Sequence, residues 1–170
     1  MTKNREAVYK LTLSAVLAAL SVVIKLAFDL WIQTDFFGFP FYSIPLILSG
    51  LFLGPYYAFL IALVADTVSG IVLGYLPMFV FSTIAWALIP CLLTREAKGV
   101  KWWVVIFLTY LVATICNTFA IWVHFSWGGA TGSLTTRLAV LPAFSLLIAL
   151  VTSYIFTILK DTRLFFEDRD

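Results

Sequence analysis

The chain reads as long apolar runs separated by short breaks of polar, glycine or proline residues. The first run extends from about Tyr9 to Ile32 and stops at the stretch Gln33 to Pro40. A second begins near Phe41 and ends at Gly54-Pro55, because glycine closes helices and proline suits the first turn of the next one. The third covers about Tyr56 to Leu73, with Gly70, Gly74 and Pro77 marking its break. The fourth runs from about Met78 to Leu93 and gives way to Thr94 to Lys101, which carries four charges in eight residues and belongs in water. A fifth spans about Trp102 to Phe125. The glycine-rich stretch Trp127 to Ser133 reads as a flexible loop, and a sixth run covers about Leu134 to Leu159. Each run has the length and continuity of a helix rather than a strand.

Composition turns these runs into a membrane protein. The chain is 62% hydrophobic and 12% charged, with a mean hydropathy of +1.03, against roughly 25% charged residues in a soluble domain. A spanning helix needs about 20 mostly apolar residues, so 170 residues hold six spans and little else. The predicted fold is one all-α domain over residues 1–170, with six transmembrane helices and no room for a separate soluble catalytic or nucleotide-binding domain.

Charge placement predicts the topology. Of eleven lysines and arginines, nine fall at one face: Lys3, Arg5, Lys10, Arg95, Lys98, Lys101, Lys160, Arg163 and Arg169. By the positive-inside rule that face, with both termini, is cytoplasmic. The three opposite loops carry no lysine or arginine. The N-terminal run is too long for a secretory signal, and its small residues lie in its middle rather than after it. A net charge of +2 gives no reason to expect a nucleic-acid partner. Cys91 and Cys116 sit inside apolar runs and read as small core residues, without disulfide or metal-ligand spacing.

Polar groups within the apolar runs are the candidate chemistry, since a charge near the bilayer centre costs about 2.5–3.5 kcal/mol on insertion scales. Lys25 and Asp29, four residues apart, share a helix face and can form a mutual ion pair, or Lys25 can serve an anionic ligand. Asp66, near the end of the third run, either caps toward the surface or acts as an acceptor in a pocket. There it can take two parallel hydrogen bonds from an amidine-like ring edge, or pair with Lys25 or Arg137. Asn117 and His124 lie seven apart on the fifth run, on one face. Asn117 suits interhelical bonding or a polar ligand, and His124 on its own reads as a half-solvated interfacial side chain with no second histidine for a metal. Aromatic residues concentrate around the first loop of the uncharged side, Trp31, Phe36, Phe37, Phe39, Phe41 and Tyr42. Tyr75, Phe79, Trp122, Phe125 and Trp127 stand at neighbouring positions. Interfacial belts account for many of these, and stacking on a flat ligand is the alternative. On the first helix, Ala15 and Ala19 make a small-xxx-small pair fit either for packing inside the bundle or for docking another protein.

Taken in order, these features resemble one family over essentially the whole chain: the substrate-binding S components of energy-coupling-factor (ECF) vitamin transporters, of the folate-type group. The resemblance rests on Ala15-Val16-Leu17-Ala18-Ala19, Phe39-Pro40-Phe41-Tyr42-Ser43-Ile44-Pro45, Gly50, Gly54-Pro55, Ala65-Asp66-Thr67, Gly74-Tyr75-Leu76-Pro77, Asn117-Thr118 and Arg137. The chain departs from such proteins in Tyr56-Tyr57-Ala58, where they often carry another glycine or a basic residue. The resemblance implies a bacterial plasma-membrane subunit, without cofactor or metal, that binds a vitamin from outside. It further implies docking through Ala15 and Ala19 on a membrane-embedded coupling subunit driven by two ATPases. Read together with the polar and aromatic candidates above, it makes Lys25, Asp66, Asn117, Arg137, Phe39, Tyr42, Tyr75, Trp122 and His124 the expected substrate residues, with folate as substrate and pantothenate, pyridoxine or a hydroxymethylpyrimidine as alternatives. No Walker motif occurs, so the chain cannot use ATP itself. A self-contained secondary carrier would want a symmetric repeat or midplane charges, and an intramembrane enzyme lacks an evident base.

Overall fold

The computed structural model describes residues 3–31, 38–75, 77–96, 101–124 and 126–161, and every regular element among them is helical. The helices are α1 (Lys3–Trp31), α2 (Ser43–Leu53), α3 (Pro55–Leu73), α4 (Val80–Glu96), α5 (Trp102–His124) and α6 (Trp127–Asp161), with 3-10 turns at Pro40–Tyr42 and Pro77–Phe79. Residues Phe36, Phe37, Lys98, Phe125, Arg163 and Arg169, which enter the aromatic and charge patterns above, lie outside the described residues.

Four stretches are long and apolar enough to cross a bilayer: Ala7–Trp31, Pro55–Leu73, Trp102–His124 and Trp127–Leu159. Pro40–Leu53 and Val80–Thr94 are shorter apolar segments. At eleven residues, α2 is about 16 Å long against a hydrocarbon core of about 30 Å. Its position explains how so short a helix is accommodated. Seven consecutive residues or near-neighbours, Ser43 and Pro45 to Gly50, are buried, because α1, α3, α4 and α6 all pack against it. Protein rather than lipid surrounds its backbone, which is where short or irregular membrane segments are tolerated.

Small residues let the helices close around this centre. A Cβ on Gly50 would lie 2.6 Å from the Ala87 carbonyl oxygen and 3.0 Å from Cys91 Cβ, so α2 and α4 approach backbone to backbone. Gly54 adopts φ +90° between α2 and α3, and Gly74 φ +69° after α3, conformations that favour glycine at both breaks. On α3, Ala58, Ile61, Ala62, Ala65, Asp66 and Ser69 form the buried stripe, at the helical spacing that joins residues on one face. Leu46, Ile47, Trp86, Ile106 and Ile148 fill the core. The outer faces remain apolar, with Leu11, Val23, Ile71, Ile115 and Leu150 exposed. So broad an apolar exterior matches a lipid environment rather than water.

One element differs from the sequence reading. Trp127 to Ser133 is the start of α6, not a flexible loop. Three glycines weaken a helix by about 1 kcal/mol each relative to alanine. The Ser126 hydroxyl offsets this by accepting the Gly129 N–H at 3.1 Å, an N-cap bond to the third helical position. Ala130 and Ser133 are buried, so packing completes what local propensity does not favour. As a consequence Arg137 does not begin the helix but lies ten residues inside it, about 15 Å from its start.

Candidate functional site

At the end of the bundle where α1 finishes, a cavity of about 190 Å³ is lined by Lys25, Asp29, Gly38, Tyr42, Tyr75, Phe79, Thr83, Asn117 and Arg137. The wall therefore draws on α1, both 3-10 turns or their flanks, α4, α5 and α6. Five of the nine substrate-residue candidates meet here, Lys25, Tyr42, Tyr75, Asn117 and Arg137, together with Asp29 and Phe79, which the sequence also marked. Positions hundreds of bonds apart along the chain converge because α1, α3 and α5 all present their buried faces toward α2 or α4.

Among the described residues the charged side chain with the least exposure is Asp66, 3% exposed on the α3 stripe. It is not part of the cavity wall. Its Oδ1 accepts from Lys25 Nζ at 3.2 Å, Tyr75 Oη at 3.0 Å and Thr83 Oγ1 at 2.8 Å. Lys25 also donates to Tyr75 Oη, and Tyr75 Oη shares its proton with the Asp66 backbone carbonyl at 3.1 Å. The ammonium lies 4.3 Å from the Tyr75 ring centroid and 5.1 Å from that of Tyr42, within reach of cation–π attraction to both. A buried charge is tolerable only when paired and hydrogen-bonded, and this network meets both conditions. The ion pair the structure makes is thus Lys25 with Asp66, whereas the mutual Lys25–Asp29 pair does not form within 4 Å. Helix spacing offers Asp29 and the packing of α1 on α3 offers Asp66; the Tyr75 and Thr83 hydroxyls that also donate to Asp66 mark it as the partner.

The other cavity groups are more weakly engaged. Arg137 donates from Nε to Ser133 Oγ at 3.0 Å, one turn earlier on α6, and its terminal nitrogens make no hydrogen bond with a described residue. Asn117, 9% exposed, makes none either. Among the described residues no group of three His, Cys, Asp or Glu side chains comes together. The arrangement has room for a polar molecule beside aromatic faces.

The remaining sequence candidates stand elsewhere. Phe39 belongs to a cluster of rings next to the cavity, 5.7 Å from Phe28, 6.3 Å from Phe41 and 5.7 Å from Phe144 between centroids. Trp122 is 48% exposed and packs edge-on against Phe119 and Trp127. Five residues beyond Asn117 on a helix, it is turned well away from the buried face. His124 shares the Asn117 face by spacing but lies about 10 Å further along the axis, exposed at the helix end. Ala15 and Ala19 are both exposed on α1 while Ala18 is buried, so the small pair is not occupied by packing inside this bundle. Sequence reasoning passed over Thr83 and Gly38. The signal for Thr83 was there in Ser82-Thr83, two hydroxyls in an otherwise apolar helix, and Gly38 carries no chemical signature at all.

The sequence matches the family model described as "ECF transporter, substrate-specific component" over residues 9–161. No curated protein matches, and no solved structure does. With nine-tenths of the chain inside that match, an apolar helical bundle and a polar cavity at one end, the chain belongs to the substrate-specific components of ECF transporters, multi-pass membrane subunits that bind a small-molecule substrate, work with an energy-coupling module and are not enzymes.

Proposed function

We propose that this chain is a vitamin-binding S component that captures folate at the outer face of a bacterial plasma membrane and releases it inside. Six helices cross or enter the bilayer with both termini cytoplasmic, and the Lys25–Arg137 cavity faces outward. The observation that carries this reading is the convergence of Lys25, Tyr42, Tyr75, Asn117 and Arg137 on one cavity. Aromatic faces with a few placed polar groups are how a small-molecule site is usually built. In this reading Tyr42 and Tyr75 flank the flat ring, Asn117 hydrogen-bonds it, and the basic side chains meet its anionic groups. Ala15 and Ala19, exposed on α1, dock on the coupling subunit, whose two ATPases supply the energy.

The cavity size favours a second reading. About 190 Å³ is below the roughly 300–1,000 Å³ of pockets that enclose a drug-sized ligand. It takes the ring of folate with the tail outside, or the whole of a smaller acid such as pantothenate. Native mass spectrometry of the detergent-purified chain, followed by isothermal titration with folate and pantothenate, separates the two. Folate co-purifying or binding more tightly is the expected result. Preference for pantothenate changes the substrate and leaves the transport role in place, and binding of neither removes both substrates.

A further inference from the structure

The charges at the cavity are not equivalent. Lys25 is already held by Asp66 and Tyr75 and sits between two tyrosine rings. Asp66 is occupied in turn, with three donors on one oxygen, and lies behind the wall. Among the described residues, two charges that line the cavity make no direct ion pair: Asp29 makes no hydrogen bond or contact pair, and Arg137 hydrogen-bonds Ser133 alone. They reach the cavity from different flanks, Asp29 on α1, which packs on α2 and α3, and Arg137 on α6, which packs on α5 and α2.

A carboxylate and a guanidinium partly withdrawn from water, as Asp29 and Arg137 are, are costly in proportion to their burial unless each finds a partner. Here they attract one another but stand more than 4 Å apart. A molecule that bridges them completes both. A carboxylate is best matched by two parallel N–H donors, and a guanidinium fork by a carboxylate or carbonyl oxygen. The same cavity is lined by Tyr42, Tyr75 and Phe79 and by Asn117, whose amide makes no hydrogen bond with a described residue.

We propose that Asp29 and Arg137 are the two substrate-reading poles of the cavity, Asp29 accepting from a paired N–H edge of a planar nitrogen heterocycle and Arg137 donating to an oxygen of the same molecule. Lys25 and Asp66 are then positioning residues, a closed pair that holds the Tyr75 hydroxyl and shapes the wall. This rests on the cavity being the substrate site; it moves the acceptor of the ring edge from Asp66 to Asp29 and leaves Arg137 alone, without Lys25, to meet the ligand's oxygens.

The test is isothermal titration of the full-length protein in detergent with folate, pterin-6-carboxylate and pantothenate. The first two carry the paired N–H edge, and pantothenate does not. Asp29→Asn keeps the shape and removes the charge. It should weaken folate and pterin-6-carboxylate binding by about 30-fold or more, the scale for breaking a desolvated charged contact, while Asp29→Glu recovers part of the loss. Should Asp29→Asn not purify as a monodisperse species, Arg137→Gln tests the opposite pole with the same ligands and the same expected loss. If folate binds and neither Asp29→Asn nor Arg137→Gln weakens it beyond about threefold, the two-pole assignment is overturned and the folate reading stands. Binding of pantothenate alone also overturns it, because that molecule has no paired N–H edge, and leaves the family role intact. If none of the three binds, the assignment and the folate and pantothenate readings fall together.

Discussion

Lys25 and Asp66 set the local rules of the cavity. Their ion pair is nearly dry, with side-chain exposures of 12% and 3%. Removing one partner from such a pair leaves an uncompensated buried charge, a loss of about 3–5 kcal/mol, whereas replacing both with neutral groups of similar shape is often close to neutral. Asp66→Asn alone should therefore lower the thermal midpoint in detergent strongly. Combined with Lys25→Met it should recover most of the loss, because the asparagine Oδ1 still accepts from Tyr75 and Thr83. A double-mutant cycle measured by thermal unfolding reads the coupling; additive losses would mean the pair contributes nothing to the fold. The sequence marks both residues, since charges in apolar runs demand an explanation. Which carboxylate Lys25 chooses was not legible, because Asp29 is one helical turn away and Asp66 is reached only when α1 packs against α3.

At the scale of elements, α1 carries two surfaces with different duties. Its end toward Trp31 bears Lys25 and Asp29 on the cavity, and its other half bears Ala15 and Ala19 on the exterior. A tryptophan at either alanine blocks close helix approach from outside without reaching the cavity. Ala15→Trp and Ala19→Trp should accordingly abolish vitamin uptake by cells while ligand affinity of the isolated protein stays within about threefold. Binding that collapses together with uptake would mean the alanines serve the fold and not docking. The small-xxx-small spacing is visible in the sequence, but the face it occupies is not, because the apolar moment is weak in a helix with lipid on one side and protein on the other. The first turns of α6 show the converse case. Glycines at 128, 129 and 132 read locally as a loop, and the Ser126 cap with burial of Ala130 and Ser133 makes them helix.

For the whole molecule, the proposed topology has a direct test. With Cys91 and Cys116 replaced, single cysteines at positions 3, 98, 129 and 168 should be labelled from the cytoplasm at 3, 98 and 168 and from outside at 129. Cytoplasmic labelling of position 129 would invert the arrangement and turn the cavity inward. Hydropathy and charge by themselves determined that this is an all-helical membrane protein, where most of its helices break, and which polar residues lie in apolar surroundings. Those properties are local or additive along the chain, because bilayer insertion acts on segments of about 20 residues and the positive-inside bias on the loops between them. Tertiary structure decided the rest. It wrapped the short α2 in protein, gave Asp66 to Lys25, carried Arg137 inward along a longer α6, and placed Trp122 and His124 outside the cavity that Thr83 and Gly38 help to line. These outcomes depend on which helix faces meet. In a lipid solvent hydrophobicity is nearly equal all round a helix, so small-residue contacts and polar pairing fix those faces, and both are settled only between helices far apart in the chain.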